Sequence, residues 1–395
     1  MRKMLLATAA LAVVSASAAF AGEIKLGIEL GFTGPIESLT PNMAAGAELA
    51  IAEVSKSGAL LNGSTVKGVR ADSTCIDSGA ATAAAERLIT SEKVSGIVGG
   101  DCSGVTGAML QNVARPNGMV MISPSATSPA LSTAKDDGLF FRTAPSDARQ
   151  GEVIADILKE QGYKSVAITY TNNDYGKGLA DSIKANFIKR GGKVTIDAAH
   201  EDGKGDYSAE VGALAAAGGD ALVVAGYVDQ GGSGIVRAAL DTGAFDKFHF
   251  PDGMVSDKLV EKFGKEIDGS FGDNPGTDSP GAALFQKMAK AKGFDGTSPF
   301  SAESYDAAAL IMLAMQAAGS SDPAKYKSKV MQVANAPGTK IMPGELAKAL
   351  KILKDGGDID YVGASAVELI GPGESAGNYR EVTFKNGKMV VVKYR

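Results

Sequence analysis

The segments that decide the fold are residues 95–104, SGIVGGDCSG, and residues 119–128, MVMISPSATS. Each begins as an apolar run with β-strand character, Ser95–Val98 and Met119–Ile122, and continues through a polar loop into a helix-like segment. Hydroxyl groups and free backbone N–H groups at the start of a helix form a neutral cradle for a carboxylate. We therefore expect two neighbouring loops that hold a small anion or zwitterion without a metal ion or a catalytic group.

Strands and helices alternate from Ile24 to Phe250 around these segments. The predicted strands are Ile24–Ile28, Val66–Ala71, Gly96–Val98, Val120–Ile122, Phe140–Arg142, Val166–Tyr170, Val194–Asp197, Ala221–Ala225 and Phe248–Phe250. Helical periodicity lies between them, at Ala44–Val54, Ala80–Ile89, Gly151–Gln161, Leu179–Arg190 and Ile235–Asp241. Residues 165–170 and 220–225 are almost entirely apolar, as strands buried on both faces are. This alternation predicts parallel sheets covered by helices.

The alternation occurs twice, which predicts two lobes. After Gly276 the chain is predicted to be helical, at 282–292, 301–318, 324–333 and 345–354, and to end in a hairpin turning at Asn386-Gly387. Stretches with Gly or Pro at 143–146, 269–276 and 362–365 resemble crossings between lobes. We predict an α/β fold of two doubly wound parallel-sheet lobes joined by a three-segment hinge. Residues 22–144 and 274–363 form lobe 1, and residues 145–273 and 364–395 form lobe 2.

The first 21 residues carry an export signal. Arg2 and Lys3 precede the apolar run Met4–Val14, and Ala19-Phe20-Ala21 has the small-x-small pattern of a cleavage site. The apolar run is too short to span a bilayer. We expect a signal peptide at 1–21 that is cleaved after Ala21; an uncleaved anchor is the alternative.

Charge, cysteines and histidines narrow the function classes. The chain has 40 Lys and Arg against 45 Asp and Glu and no basic block interleaved with aromatic residues, which argues against a nucleic-acid partner. Cys75 and Cys102 are its only cysteines; in an oxidising compartment they can form a disulfide, and two buried thiols are the alternative. His200 and His249 lie far apart, and no Gly-x-Ser-x-Gly elbow occurs. We expect no metal, no cofactor and no enzyme activity.

Short motifs occur in a characteristic order along the chain: Gly34-Pro35, the two cysteines, Met121–Thr127, Tyr175–Gly178, Gly226-Tyr227 and Pro251-Asp252. In this order the chain resembles the periplasmic leucine/isoleucine/valine-binding proteins, the type I solute receptors of ABC importers. The resemblance covers essentially all of the chain after residue 21. It implies a monomer in the periplasm, a branched-chain or related small amino acid or amide as ligand, and the membrane permease subunits of an ABC importer as partners.

The resemblance assigns the ligand carboxylate to the first lobe. It implies that Ser103 and Thr127 donate hydroxyl groups and that Ala126 and Thr127 donate backbone N–H groups. The carbonyl of Ser125 would face the ammonium group. Ser103 and Thr127 could instead simply cap helices, as such residues commonly do.

The resemblance places the remaining ligand contacts on the opposite side. Asp252 stands where the family has a glutamate that pairs with the α-ammonium, and Tyr227 lies on the same lobe. Tyr175 and Phe300 would line the side-chain pocket, whereas Leu39 replaces the usual Tyr or Trp. Asp252 could be an ordinary loop acid, and Tyr175 a packing residue.

Elementary electrostatics agrees with this arrangement. A buried zwitterion needs a carboxylate cradle and an acidic partner for its ammonium group, because burying it unpaired is very unfavourable. Asp252 is one methylene shorter than glutamate. The lobes must therefore close further, a water must bridge, or the ligand must be a γ-amino acid. The function predicted is a receptor that delivers an amino acid to an ABC importer; a sensory protein of the same fold and an exported hydrolase are the alternatives.

Overall fold

The computed structural model describes residues 22–395. The predicted signal peptide lies outside the described residues. Within them, no helix is both long and apolar enough to cross a membrane. The chain forms two lobes, each a twisted sheet flanked by helices, as predicted.

The first lobe is built from two stretches of chain. The first stretch contains β1 (Glu23–Leu30), α1 (Thr40–Ser57), β2 (Thr65–Asp72), α2 (Ser78–Thr90), β3 (Ile97–Gly99), α3 (Ser103–Met109), α4 (Arg115–Asn117), β4 (Met121–Ser123) and β5 (Phe140–Pro145). The second lobe follows with α5 (Asp147–Glu160), β6 (Ser165–Thr171), α6 (Asp174–Lys189), β7 (Lys193–His200), α7 (Ser208–Ala217), β8 (Ala221–Ala225), α8 (Gly231–Thr242), β9 (Phe248–Phe250), α9 (Asp257–Phe263) and β10 (Phe271–Pro275).

The chain then returns to the first lobe before it ends in the second. The returning elements are α10 (Pro280–Ala291), α11 (Ser301–Ala318), α12 (Pro323–Tyr326), α13 (Val330–Ala334), β11 (Thr339–Ile341), α14 (Leu346–Lys354), β12 (Ile359–Tyr361), β13 (Leu369–Ile370) and β14 (Glu374–Ser375). The final hairpin, β15 (Tyr379–Lys385) and β16 (Lys388–Tyr394), belongs to the second lobe. The predicted helix 324–333 is divided into α12, a 3₁₀ turn and α13.

The two sheets repeat one strand order. The first is β13-β14-β5-β4-β3-β1-β2 and the second is β16-β15-β10-β9-β8-β6-β7. Each therefore contains five parallel strands in the order 2-1-3-4-5, whose switch point places ligands at the carboxyl ends of the strands. Every residue of β8 is buried, as its apolar sequence predicts.

The segment 339–361 covers helix α11. Nearly all residues of α11 are buried, so this helix needs neighbours on every side. The backbone N–H of Leu346 donates to Glu53 Oε1 at 2.8 Å, and Gln316 Nε2 of α11 donates to the carbonyl of Leu350 at 3.2 Å. The segment 339–361 thus completes the first lobe.

The third crossing differs from the predicted position. The sequence boundary assigns everything after residue 363 to the second lobe, yet β13 and β14 belong to the first sheet, where β14 runs parallel to β5. The chain crosses only between Ser375 and Tyr379. Two-residue strands carry no readable periodicity, and a buried ion pair between Arg142 and Glu374 holds β14 in place.

The lobes are closed on each other. Asp229 of the second lobe accepts a hydrogen bond on Oδ2 from the backbone N–H of Ser38 at 2.8 Å. Its own N–H donates to the carbonyl of Pro35 at 3.1 Å. We call this pair of hydrogen bonds the inter-lobe latch. The glycine-rich run 226–232, GYVDQGG, contains Asp229 and therefore joins the lobes.

Candidate ligand-binding site

A cavity of about 310 Å³ lies between the lobes at the carboxyl ends of the strands. Its lining residues are Ile36, Leu39, Asp101, Cys102, Ser103, Ser125, Tyr175, Tyr227, Asp252, Gly253 and Phe300. Seven of the nine residues predicted for the site are therefore together. Ala126 and Thr127 are buried beside the cavity without lining it.

The first cradle loop, residues 101–104 after strand β3, is held in place by a covalent bond. Cys102 forms a disulfide with Cys75, as the even cysteine count predicts. Helix α3 begins at Ser103, whose Oγ accepts a hydrogen bond from the backbone N–H of Ser128 at 3.0 Å. The Ser103 hydroxyl thereby ties the two loops together. Its proton stays available for a carboxylate.

The second cradle loop, residues 124–128 after strand β4, folds back on Ser123 at the end of that strand. Ser123 Oγ donates to the carbonyl of Gly100 at 2.6 Å and accepts from the N–H of Ala126 at 2.9 Å. The N–H of Ala126 therefore already has an acceptor in this arrangement, and its binding to a carboxylate stays a prediction. Thr127 Oγ1 is buried without a partner among the described residues, whereas Ser128 caps the following turn through Ala130 N–H at 3.4 Å.

The buried side chain of Arg142 holds the second cradle loop through hydrogen bonds to its backbone carbonyls. Its Nη1 donates to the carbonyls of Ala126 and Ser128, at 2.9 Å each. Its Nε donates to Glu374 at 3.2 Å, and the Arg142 side chain is almost completely buried. A guanidinium group holds several acceptors in one plane. The late strand β14 thus helps to position a loop near residue 126.

Asp252 follows β9 on the opposite side of the cavity. Its Oδ1 accepts from Tyr175 OH at 2.6 Å and from the N–H of Gly253 at 2.8 Å. Its Oδ2 is buried with no partner in the described part of the chain. A Cβ atom at position 253 would lie 2.6 Å from the carbonyl of Gly226, so glycine is required for this close approach. Asp252 therefore has one free acceptor.

Two tyrosines form the wall beside Asp252. The rings of Tyr175 and Tyr227 stack with centroids 5.2 Å apart. Asn173 caps α6 by accepting from Gly176 N–H at 3.0 Å, and its Nδ2 donates to Tyr227 OH at 3.3 Å. The cap of the helix that carries Tyr175 thus also orients Tyr227.

A second buried acid, Asp147, stands next to this group. Its N–H donates to the carbonyl of Thr127 at 2.8 Å, and neither carboxylate oxygen has a partner within residues 22–395. Burial, followed by the charge of Asp252, holds the pKa of Asp147 well above its usual range. Burial also raises the pKa of Asp252 to about 7, against the lowering effect of Tyr175 OH. Asp147 is the first residue of helix α5, a position where acidic residues are common, so the sequence alone does not single it out.

The far end of the cavity is apolar. Leu39, Ile36 and Phe300 line it, and each is almost fully buried. Phe300 takes a left-handed backbone conformation, with φ +62°, immediately before α11. Leu39 leaves room where a larger aromatic side chain would fill the site.

These features define a class of protein. Two lobes closed over a cavity with hydroxyl groups on one wall and an acid on the other make a receptor for a small polar molecule. Among the described residues no cluster of His, Cys, Asp or Glu suits a metal ion. The chain belongs to the periplasmic binding protein family, whose pattern matches residues 23–346.

Comparisons with individual proteins agree. An amino acid binding protein from Pseudomonas aeruginosa is 30% identical over 330 residues, which cover 82% of this chain and 86% of the relative. A leucine-binding protein from Thermotoga maritima has the same fold, with a TM-score of 0.79 at 24% identity over 94% of this chain and 98% of that one. A Rhodopseudomonas palustris solute-binding protein in complex with 4-hydroxybenzoate gives a TM-score of 0.74 at 20% identity, covering 94% and 97%.

Proposed function

We propose that this protein is the solute receptor of an ABC importer and that it binds a branched-chain or related small amino acid, or its amide. The observation that carries the proposal is the free carboxylate oxygen of Asp252 in a cavity whose other wall holds Ser103 and Ser125. The Ser103 hydroxyl, which lines the cavity, would bind the carboxylate. Asp252 would pair with the ammonium group across the cleft, so that the ligand stabilises the closed lobes.

The acid distinguishes amino acids from aromatic carboxylates, the ligand class of one structural neighbour. A benzoate has no cation for Asp252, so the carboxyl group would remain buried without an ionic partner. A γ-amino acid stays a candidate, because Asp252 is shorter than glutamate and would meet an ammonium group farther from the carboxylate.

The test is a thermal-shift screen followed by calorimetry on protein freed of bound ligand by denaturation and refolding. The panel contains α-amino acids, their amides, γ-aminobutyrate and hydroxybenzoates. At 100 times Kd a ligand adds about 2.7 kcal/mol of stability. We expect shifts for amino acids and none for benzoates; binding of benzoates alone would overturn the proposal. Mass spectrometry of the denatured, freshly purified protein identifies the natural ligand.

We propose further that the mature protein is a periplasmic monomer beginning at Gly22, without cofactor, catalysis or a nucleic-acid partner. N-terminal sequencing checks the start at Gly22, and light scattering checks the monomer. Unchanged ligand after prolonged incubation would support a receptor, whereas product formation would favour the hydrolase. Normal uptake in a deletion strain with altered gene expression or chemotaxis would favour a sensory role.

A further inference from the structure

A second cavity, of about 430 Å³, lies behind Phe300 on the hinge side of the molecule. We call it the hinge cavity. Its walls include Asn274, Phe300, Glu303, Ser365, Arg380 and Tyr394, which come from both lobes. Phe300 also lines the cleft, so one aromatic side chain borders both cavities.

Glu303 gives the hinge cavity an acidic wall. The residue is only 3% exposed, yet its carboxylate accepts no hydrogen bond from any other residue between 22 and 395. Burial raises the pKa of Glu303 to about 8, and the positive charge of Arg380 acts in the opposite direction. A buried acid without a partner is unfavourable unless a cation or a hydrogen-bonding group meets it.

Arg380 gives the hinge cavity a basic wall. Its Nε and Nη2 donate to Asn274 Oδ1 at 3.3 and 3.2 Å, and Nη2 also reaches the carbonyl of Thr297 at 3.4 Å. In the described chain its guanidinium forms no ion pair with a carboxylate. Its Nη1 donates to no acceptor within residues 22–395 and is left to donate a charge-assisted hydrogen bond to a carboxylate. A carboxyl group and a guanidinium group thus line one cavity without forming an ion pair with each other.

All three crossings of the hinge contact this cavity or its walls. Thr143 Oγ1 in the first crossing donates to the carbonyl of Glu303 at 2.8 Å. Asn274 and Pro275 lead into the second crossing and line the cavity directly. Arg380 follows the third crossing and lies opposite Asn274 in the β10–β15 pair. A molecule in the cavity would therefore contact groups that move relative to one another when the lobes open.

We propose that the hinge cavity is a second binding site for a small zwitterion such as a free amino acid, with its carboxylate on Arg380 and its ammonium group on Glu303. Because the occupant contacts both lobes, it changes the affinity of the cleft, and the cleft ligand changes its affinity by the same factor. The binding itself goes beyond the proposed function. Only the coupling rests on it.

The experiment uses glycine as probe, titrated calorimetrically into the ligand-free full mature protein and into its Asp252→Ala variant. In this variant cleft binding is weakened, so the remaining glycine binding reports the hinge cavity. We expect Glu303→Gln or Arg380→Gln, added to Asp252→Ala, to weaken that remaining binding at least about tenfold. Arg237→Gln, at an exposed surface pair, is the matched control and should leave it unchanged.

The outcomes separate the two proposals. Loss of all glycine binding on Asp252→Ala, with no effect of Glu303→Gln or Arg380→Gln in the wild-type background, overturns the hinge site. Binding that responds only to Glu303 and Arg380 supports the hinge site and contradicts the proposed cleft. If a variant does not fold, a crystal structure with glycine decides: a zwitterion between Glu303 and Arg380 supports the inference, and solvent alone there overturns it.

Discussion

The two walls of the cleft are built by different means. The first-lobe wall consists of loops whose backbone and short hydroxyl groups are held by a disulfide, by the Ser103–Ser128 bond and by Arg142. The second-lobe wall consists of large side chains, Tyr175, Tyr227 and Asp252, which brace one another. The first-lobe wall, which we propose binds the carboxylate, therefore depends on supports outside the cavity. The second-lobe wall, which we propose meets the ammonium group, depends on the lining residues themselves.

The largest expected effect is that of Arg142→Ala on the first wall. The change leaves Glu374 buried without its partner and frees two loop carbonyls. Removing one member of a buried pair destabilises a protein by about 3–5 kcal/mol. Urea unfolding measures this loss. Arg87→Ala, which breaks the exposed 3.5 Å pair with Glu92, is the control and should cost about 0–1 kcal/mol. Equal losses for both would contradict the role of Arg142.

The next largest effect is expected when Cys75 and Cys102 are both replaced by serine. The disulfide closes a separation of 27 residues, for which loop entropy gives about 3 kcal/mol. We expect a lower unfolding midpoint and weaker ligand binding, since the first loop loses its brace. Addition of a reductant to the wild-type protein should reproduce the effect. An unchanged midpoint in both experiments would show that the disulfide does not brace the fold.

Asp252→Ala tests the second wall. It should weaken amino-acid binding by at least about 2 kcal/mol, roughly 30-fold, because the ammonium group stays buried without its partner. Unlike Arg142→Ala, it should leave the free energy of unfolding of the ligand-free protein within about 1 kcal/mol. Asp246→Ala, whose side chain is 89% exposed, is the control. Unchanged affinity would falsify the role assigned to Asp252.

The pH dependence of binding sharpens the same point. An ammonium group pairs with ionised Asp252, whose raised pKa is about 7. Protonation therefore competes with binding below pH 7, and affinity should fall by up to about tenfold per pH unit as the pH decreases. Calorimetry from pH 5.5 to 8, in buffers of different ionisation enthalpy, also counts the protons released. A flat profile would place the pKa near its ordinary value.

The smallest effect is expected for Ser103→Ala. The variant loses one donor to the ligand carboxylate and one acceptor for Ser128 N–H, and should weaken binding by about 1 kcal/mol. Thr82→Ala, on the exposed face of α2, should change nothing measurable in calorimetry. A loss of binding free energy as large as that of Asp252→Ala would mean that Ser103 contributes more than a single hydrogen bond to the ligand.

The sequence predicts the loops of the first-lobe wall better than it predicts the groups that hold those loops in place. The cradle loops are contiguous, because apolar strands end directly in Ser, Gly and Thr residues, and both lie where predicted. The engaged N–H of Ala126 was not predictable, since it depends on how Ser123 folds back. The strand β14 has two residues and joins β5 across more than 200 positions, so no local pattern indicates it.

The second wall required the tertiary structure. Asp252 and Tyr227 were identified through the family motifs, whereas Asp147 and the hinge cavity were missed. Asp147 is buried because it lies where the chain passes from the first crossing into helix α5. Glu303 and Arg380 line one cavity although they belong to different lobes. Neither produces a periodicity or a spacing along the chain.

The inter-lobe latch of Asp229 has a consequence for how this receptor can evolve. Its two hydrogen bonds, to Ser38 and Pro35, join protein to protein and touch no part of the cavity lining. A change at Asp229 therefore shifts the closing equilibrium by the same amount for every ligand. Overall sensitivity and discrimination among ligands are thus set by separate residues. The receptor can be retuned to scarce or abundant nutrients without altering what it recognises.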